Sequence, residues 1–513
     1  MFNKKNTIIN LFAALITLGV QMFIGFWLSP YVIGKLGEEA YGFLDLANNF
    51  VSYAGLVAVS INSMACRYIS VEYNRGNLEE SKKYFCSVFI ANCVLYAIIL
   101  IASLILIGNI EIFLNVSTKL VTQVKFTFFL AFINMGISMI GTVYTAAAFV
   151  TNLMYYNSLI QIISNIIKST LIFVLFILLQ PQIYYLSIAT LISSIIIFIG
   201  NYTLTRKLLK EFDIKVEYYD FKKLIRLVKS GIWVFVSNIS NLLLNGLDLL
   251  LSNWFISSTI MGRLSLAKQI PLALGNALGV FLNISSSALT KVFAENGEKS
   301  LIDETDSQLK ILNIFFSVPY AGVIIFGREF ISLWLKGANY TQEQQIQIYI
   351  LMLLVLIDII TSTYMYSIHS IFIAVDKVKK YAIILFTSSC ISFGLTVLLL
   401  NITNWGVYVI AGTSTIVLGL THGFIVPACA AKLLGKPYYL FWKTEGKSWL
   451  SLGFLCVLFY IMKIPMDFTK WVQFFINIII CTITGYGILA FFILEKEEKK
   501  KIVQVVKKRI KKK

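Results

Sequence analysis

Apolar runs of about twenty residues recur along the whole chain, and they restrict it to very few kinds of fold. Hydrocarbon offers no partner to a free backbone N–H or C=O, so a spanning helix needs roughly 20 apolar residues, and the chain supplies such stretches from end to end. Reading between charged and turn-forming breaks gives fourteen expected helices, at 8–32, 43–66, 84–107, 123–148, 157–180, 184–205, 231–256, 261–290, 311–327, 346–373, 381–400, 406–431, 448–463 and 471–494. The longest hydrophilic stretch, Arg206 to Lys229, is too short for a separate soluble domain. The expectation is one all-α polytopic membrane domain.

Composition agrees: apolar residue types make up 58% of the 513 residues, charged ones 14%, and the mean hydropathy is +0.78. Lys and Arg gather in cytoplasmic loops of membrane proteins. With fourteen helices and both termini on the cytoplasmic side, 34 of the 44 basic residues fall on that side and 8 on the other, counting Lys125, Arg263 and Lys463 at helix ends, which leaves Lys168 and Lys268 deep within helices. One missed helix would scatter this asymmetry, so it supports the helix number as well as the orientation. The net charge of +18 is therefore a topology signal, with the basic tail Lys496–Lys513 also suited to an anionic lipid surface, and no folded basic platform for nucleic acid is expected. The first helix lacks a following cleavage pattern and reads as a signal anchor. Seven cysteines lie in or beside helices without a CxxC pair, there are two histidines, and HExxH, P-loop and GxGxxG patterns are missing. No metal, no cofactor and no enzymatic activity are expected.

The chain repeats itself. Tyr41-Gly42 opens the second helix and Met261-Gly262 the eighth, an offset of 220 residues. Glycines 76 and 297 in the following polar segments are 221 apart, and Gly108-Asn109-Ile110-Glu111-Ile112-Phe113-Leu114 parallels Gly327-Arg328-Glu329-Phe330-Ile331-Ser332-Leu333 at 219. This period contains six helices, an even number, so the two copies enter the membrane in the same sense and are related by an axis along its normal. The expected layout is a six-helix lobe at 1–205, a cytoplasmic amphipathic linker at 206–230, a second six-helix lobe at 231–431, helices 13 and 14 at 432–494 and a basic cytoplasmic tail at 495–513. Two facing lobes enclose a cleft, the architecture of a carrier. In the linker, Phe221, Leu224, Ile225 and Val228 oppose Lys222, Lys223, Arg226 and Lys229, a pattern that suits the inner membrane surface.

Ionisable residues at hydrocarbon depth cost roughly 2.5 to 3.5 kcal/mol and usually face a partner or a wet cavity. Asp248 and Lys268 each lie ten residues from Ser258 in the turn between helices seven and eight, so both sit about 15 Å below the membrane surface. They form either a charge pair lining the cleft, with Lys268 available to an anionic substrate, or a static bridge fixing the hairpin. Lys168 is near mid-membrane in helix five and is a candidate cleft cation. Asp358, central in helix ten, is a candidate for a coupling proton or sodium ion, or for a packing hydrogen bond. Asp45 faces either the outer vestibule or the interface. Arg67, at the cytoplasmic mouth of helix two, suits a diphosphate or serves as a topology anchor. His369, near the inner end of helix ten, is placed to titrate near neutral pH or to bond a neighbouring helix.

The segment Pro30-Tyr31-Val32-Ile33-Gly34-Lys35-Leu36-Gly37-Glu38-Glu39-Ala40-Tyr41-Gly42 resembles the first outer turn of Wzx-type polysaccharide flippases, members of the multidrug/oligosaccharidyl-lipid/polysaccharide (MOP) exporter superfamily. Ser63-Met64-Ala65-Cys66-Arg67-Tyr68-Ile69-Ser70 and the stretch Gly327 to Gly337 resemble the same family. The resemblance implies a MATE-like fold of two six-helix lobes with two further helices. It also implies a bacterial cytoplasmic membrane location and transfer of an undecaprenyl-diphosphate-linked oligosaccharide from the inner to the outer leaflet, for surface polysaccharides such as capsule or O-antigen. Neighbouring membrane lipids would take the polyprenyl tail, and a polymerase and glycosyltransferases would be partners. Lys168, Lys268 and Arg67 would then bind substrate, and Asp248, Asp358, Asp45 and His369 would couple or gate. A cation-coupled multidrug exporter and a lipid II flippase are the alternatives within the superfamily; a membrane-embedded glycosyl or acyl transferase is the alternative from another class.

Overall fold

The computed structural model describes residues 4–338 and 340–493, so the basic tail expected at 495–513 lies outside the described residues. The described chain is helical throughout, without a strand. In chain order the helices are α1 (Lys4–Leu36), α2 (Glu38–Asn74), α3 (Leu78–Gly108), α4 (Val121–Val150), α5 (Tyr155–Leu178), α6 (Tyr184–Leu208) and α7 (Phe221–Gly246, continued after Leu247 by Asp248–Phe255). After these come α8 (258–296), α9 (Gly297–Trp334), α10 (Gln342–Ala374), α11 (Val378–Ile402), α12 (Val407–Leu433), α13 (Trp442–Lys463) and α14 (Trp471–Phe491). A non-helical Gly297, with φ 76°, separates α8 from α9. Thirteen of these helices are long and apolar enough to cross a membrane, and the remaining expected run, 261–290, lies within α8. Large apolar side chains such as Phe23, Ile105, Ile177 and Leu450 stand exposed, as lipid-facing residues do.

The chain forms two compact units. The first takes the chain to Val280 together with Ala382–Ser414; the second takes Phe281–Tyr381 together with the chain from Thr415. These units cut across the two lobes expected from the repeat, since α7 and the first part of α8 pack with α1–α6.

Within the first unit, a buried cluster of Ile69, Tyr84, Phe85, Tyr144, Phe212 and Leu227 ties the ends of α2, α3 and α4 to the segment after α6. Two residues expected on a membrane-facing linker are divided by this cluster. Leu224 is buried in it, while Phe221 stays exposed. The stretch is also continuous with α7, so it forms the first turns of a spanning helix. Asp220 caps it by accepting from the Lys222 N–H. Nearby, Arg206 pairs with Asp213 and holds that carboxyl below its ordinary range.

In the second unit, α13 and α14 pack on α9. Tyr486 donates to the Phe315 carbonyl at 3.0 Å, and Lys463 bridges Glu329 at 2.7 Å and the Ile325 carbonyl at 2.8 Å. Thr341 and Gln344 form a capping box that starts α10.

Candidate functional site

Glycine fixes how closely α2 can approach its neighbours. A Cβ on Gly42 would lie 2.9 Å from the Gly262 backbone, and one on Gly262 would lie 2.1 Å from the Glu38 carbonyl oxygen. The same holds where α7 crosses α2: a Cβ on Gly231 would lie 2.0 Å from the Ser60 carbonyl oxygen. At these crossings backbone meets backbone. From Gly42 and Gly262, α2 and α8 run side by side in the same sense, with Asp45 accepting a hydrogen bond from the Ser265 hydroxyl one turn further on. Residues 42 and 262, and again 45 and 265, are counterparts at the 220-residue offset. In a two-fold arrangement, counterparts touch only beside the axis, so these contacts support the internal repeat.

Below this crossing lies a cavity of about 760 Å³, in the range of small-molecule sites. It is lined by α1, α2, α7 and α8 of the first unit. Along α1 its wall runs from Ser29 back to Leu18, and along α8 from Ser265 to Asn276, so it extends about 16 Å along each helix. The wall is unusually polar for membrane depth: Gln21, Asn48, Asn49, Asn245, Gln269 and Asn276 all present carboxamides. The side chains of Gln21, Asn48 and Asn276 make no hydrogen bond to other described residues.

A break in α7 organises the charges. Leu242–Gly246 forms a π-turn, in which one extra residue per turn releases carbonyls from the helical ladder. The released groups find side chains: Lys268 Nζ donates to the Asn245 carbonyl at 2.7 Å, and the Tyr53 hydroxyl donates to the Gly246 carbonyl. Just beyond, Asp248 accepts from Lys268 Nζ at 2.9 Å, both side chains being more than nine-tenths buried. Lys268 thus spends two of its three N–H groups within the protein. Asp45 lies within electrostatic reach of both Lys268 and Lys168.

At the head of the cavity a set of polar contacts closes α2 against α8. Arg263 Nε donates to Glu38 at 2.9 Å, and Gln269 donates to Ser29 Oγ at 2.9 Å and to the Tyr41 hydroxyl. At the same end, Asn115 and Asn253 clasp each other, Asn115 N–H donating to Asn253 Oδ1 at 2.9 Å and Asn115 Nδ2 to the Asn253 carbonyl at 2.8 Å. Trp254 Nε1 donates to the Phe113 carbonyl at 2.7 Å.

A many-times-crossed bundle with a polar pocket at membrane depth matches a known family over more than half its length. The profile described as "Polysaccharide biosynthesis protein" fits residues 4–286, which include every residue lining the cavity. The chain belongs to the polysaccharide biosynthesis protein family. Within the reach of sequence comparison it is 24% identical over 438 residues to the "Uncharacterized membrane protein EpsK" of Bacillus subtilis (strain 168), covering 85% of each chain. Its fold is that of MOP-superfamily transporters. It superposes on an inward-facing multidrug resistance MATE family transporter with a TM-score of 0.70 at 12% identity, over 83% of this chain and 98% of the other. On the lipid II flippase MurJ in an inward closed conformation the TM-score is 0.69 at 14% identity, over 94% of this chain and 98% of the other.

In this polysaccharide biosynthesis family member, the structure gathers four of the seven candidate charged residues: Asp45, Asp248, Lys268 and, within reach of Asp45, Lys168. Arg67 is exposed and 22 residues further along α2 than Asp45, about 33 Å away along the helix. Asp358 and His369 belong to the second unit. Asp358 is buried on α10, and the His369 ring packs on Tyr381 with centroids 4.0 Å apart. The other histidine, His422, lies in a second π-turn, Thr421–Ile425, with Ser362 Oγ 3.3 Å from its Nδ1. The carboxamides of the cavity wall carry no charge and so are not marked in the sequence by an insertion cost as large as that of an ion. Their spacing is a usable signal on α8: Gln269 and Asn276 are seven residues apart, two helical turns, so they share one helix face.

Proposed function

We propose that this protein is a flippase that carries an undecaprenyl-diphosphate-linked oligosaccharide from the cytoplasmic to the outer leaflet of a bacterial cytoplasmic membrane. The observation that carries the reading is the carboxamide-lined cavity at membrane depth, closed at one end by the α2–α8 crossing, in a chain of the polysaccharide biosynthesis family. A sugar head cannot enter hydrocarbon unaided, and a wet pocket with fixed hydrogen-bonding groups replaces its hydration shell. Both termini then face the cytoplasm, in keeping with the distribution of basic residues, and the α2–α8 crossing closes the outer side. In this reading the protein works beside the glycosyltransferases and polymerase of a surface polysaccharide, and leaves the chemistry of its cargo unchanged. The lipid II flippase, whose fold this chain shares, is a precedent for lipid-linked cargo in this architecture.

Reconstitution into proteoliposomes with a fluorescent polyprenyl-diphosphate oligosaccharide tests this directly. The expected result is protein-dependent exchange of the probe between leaflets, read by its accessibility to a membrane-impermeant reagent. Exchange no faster than in protein-free vesicles would overturn the reading.

A further inference from the structure

The cavity holds many hydrogen-bonding groups and little net charge. Among the described residues lining it, Lys268 is the only cation and Asp45 the only carboxylate. Lys268 is already committed to Asp248 at 2.9 Å and to the Asn245 carbonyl at 2.7 Å. By residue count Asp45 and Asp248 match Lys168 and Lys268, so the cluster around the cavity has no surplus of basic over acidic side chains. A diphosphate is recognised by uncommitted cations, above all by the paired donors of arginine, and no arginine lines this cavity among the described residues. A carboxylate on an acidic sugar would find no uncommitted cation in this cavity and the Asp45 carboxyl on its wall, so it would lose its hydration without an ion partner.

The carboxamides suit a different ligand. Each offers two donors and an acceptor, and a sugar hydroxyl both donates and accepts. Gln21, Asn48 and Asn276 come from three different helices, α1, α2 and α8, and are not satisfied by other described residues. Three such groups from separate walls surround a ligand on several sides, which fixes its orientation without calling on charge.

We propose that this cavity binds the uncharged glycan of the cargo, that the diphosphate is held outside it, and that the protein therefore selects neutral repeat units over acidic ones. This rests on the flippase reading above and narrows its substrate class. The residue expected to enforce the selection is Asp45, and those expected to grip the glycan are Gln21, Asn48 and Asn276.

The test uses the full chain in proteoliposomes with three fluorescent probes: a polyprenyl diphosphate bearing a neutral N-acetylhexosamine disaccharide, the same lipid with a terminal glucuronic acid, and the sugar-free polyprenyl diphosphate. The neutral probe is expected to cross, with the glucuronate and sugar-free forms slower by about tenfold or more. Asp45→Asn should narrow the gap between neutral and acidic probes, while Gln21→Ala and Asn276→Ala should slow the neutral probe by about tenfold each. The ratio of rates within one preparation is independent of the fraction of protein that folds. Equal rates for the neutral and acidic probes, or for the neutral and sugar-free ones, would overturn the inference and leave the flippase reading intact. Movement of none of the three would remove the flippase reading and this inference with it.

Discussion

Lys268 ties α8 to both sides of the break in α7 through one ammonium group, which donates to the released Asn245 carbonyl of the π-turn and to the Asp248 carboxylate that follows it. Removing one member of a buried pair leaves the other charge without compensation, at a cost of about 3–5 kcal/mol, whereas replacing both by apolar groups of similar size is often neutral. Lys268→Ala should therefore lower the thermal unfolding midpoint of the detergent-solubilised protein markedly, and Lys268→Met with Asp248→Leu should restore most of it. Transport separates the two roles open to the pair. If the double variant is stable and still moves the lipid-linked probe at the parental rate, the pair is a static brace; loss of transport with stability retained marks it as part of the working cavity. At this scale the sequence was informative about charge and silent about amides. An aspartate or lysine within an apolar run stands out because of its insertion cost, and the Asp248–Lys268 pairing followed from equal distances to one turn. Asparagine and glutamine cost less and stand out less, so as a set the six carboxamides of the cavity wall are recognisable only from the packing of the helices.

Helices are the most legible level of this chain, because a spanning segment needs its length of apolar residues whatever it packs against. Their ends were read short: the run at 43–66 is the middle of Glu38–Asn74, since polar residues continue the helix beyond the apolar core. The π-turn at Leu242–Gly246 could not be read at all, because an extra residue in a turn leaves no compositional trace. Glycine contacts are intermediate: Gly42 and Gly262 were visible as repeat landmarks, but not as a point of backbone contact. That contact makes a sharp prediction. Gly262→Ala puts a Cβ 2.1 Å from the Glu38 carbonyl oxygen, a backbone atom that cannot swing aside, whereas a Cβ on Gly279 of the same helix meets nothing within 4 Å. Gly262→Ala should cost about 1–3 kcal/mol through forced separation of α2 and α8. Gly279→Ala should be neutral or stabilising by up to about 1 kcal/mol, because alanine loses less backbone freedom in a helix than glycine. Unfolding midpoints of the two variants, compared side by side, check the contrast.

For the whole molecule, the 220-residue repeat was readable because its landmarks keep one spacing, and contacts between counterparts 42 and 262, and 45 and 265, bear on the same relation. The division into compact units was not readable, because it depends on which helices pack together in the conformation adopted. Here α7 and the start of α8, which the repeat assigns to the second copy, are held to α2 by glycine crossings and the Glu38–Arg263 ion pair, and to the segment between α3 and α4 by the Asn115–Asn253 clasp. A carrier that delivers its cargo beyond the α2–α8 crossing has to open that crossing in every cycle, and the ion pair is its most accessible part, with both side chains 15% exposed. Joining the two positions covalently should therefore stop the cycle without touching the cavity. Glu38→Cys with Arg263→Cys, made in a background whose seven native cysteines are replaced, allows a short bifunctional thiol reagent with a cleavable disulfide to bridge α2 and α8. The uncrosslinked double variant should still carry the probe, the bridged form should lose at least about nine-tenths of that rate, and reduction should return it. Each single-cysteine variant treated in the same way should be unaffected, which separates bridging from simple modification. Full transport with the bridge in place would mean that α2 and α8 stay together throughout the cycle, and the cargo would then need an exit that leaves this crossing closed.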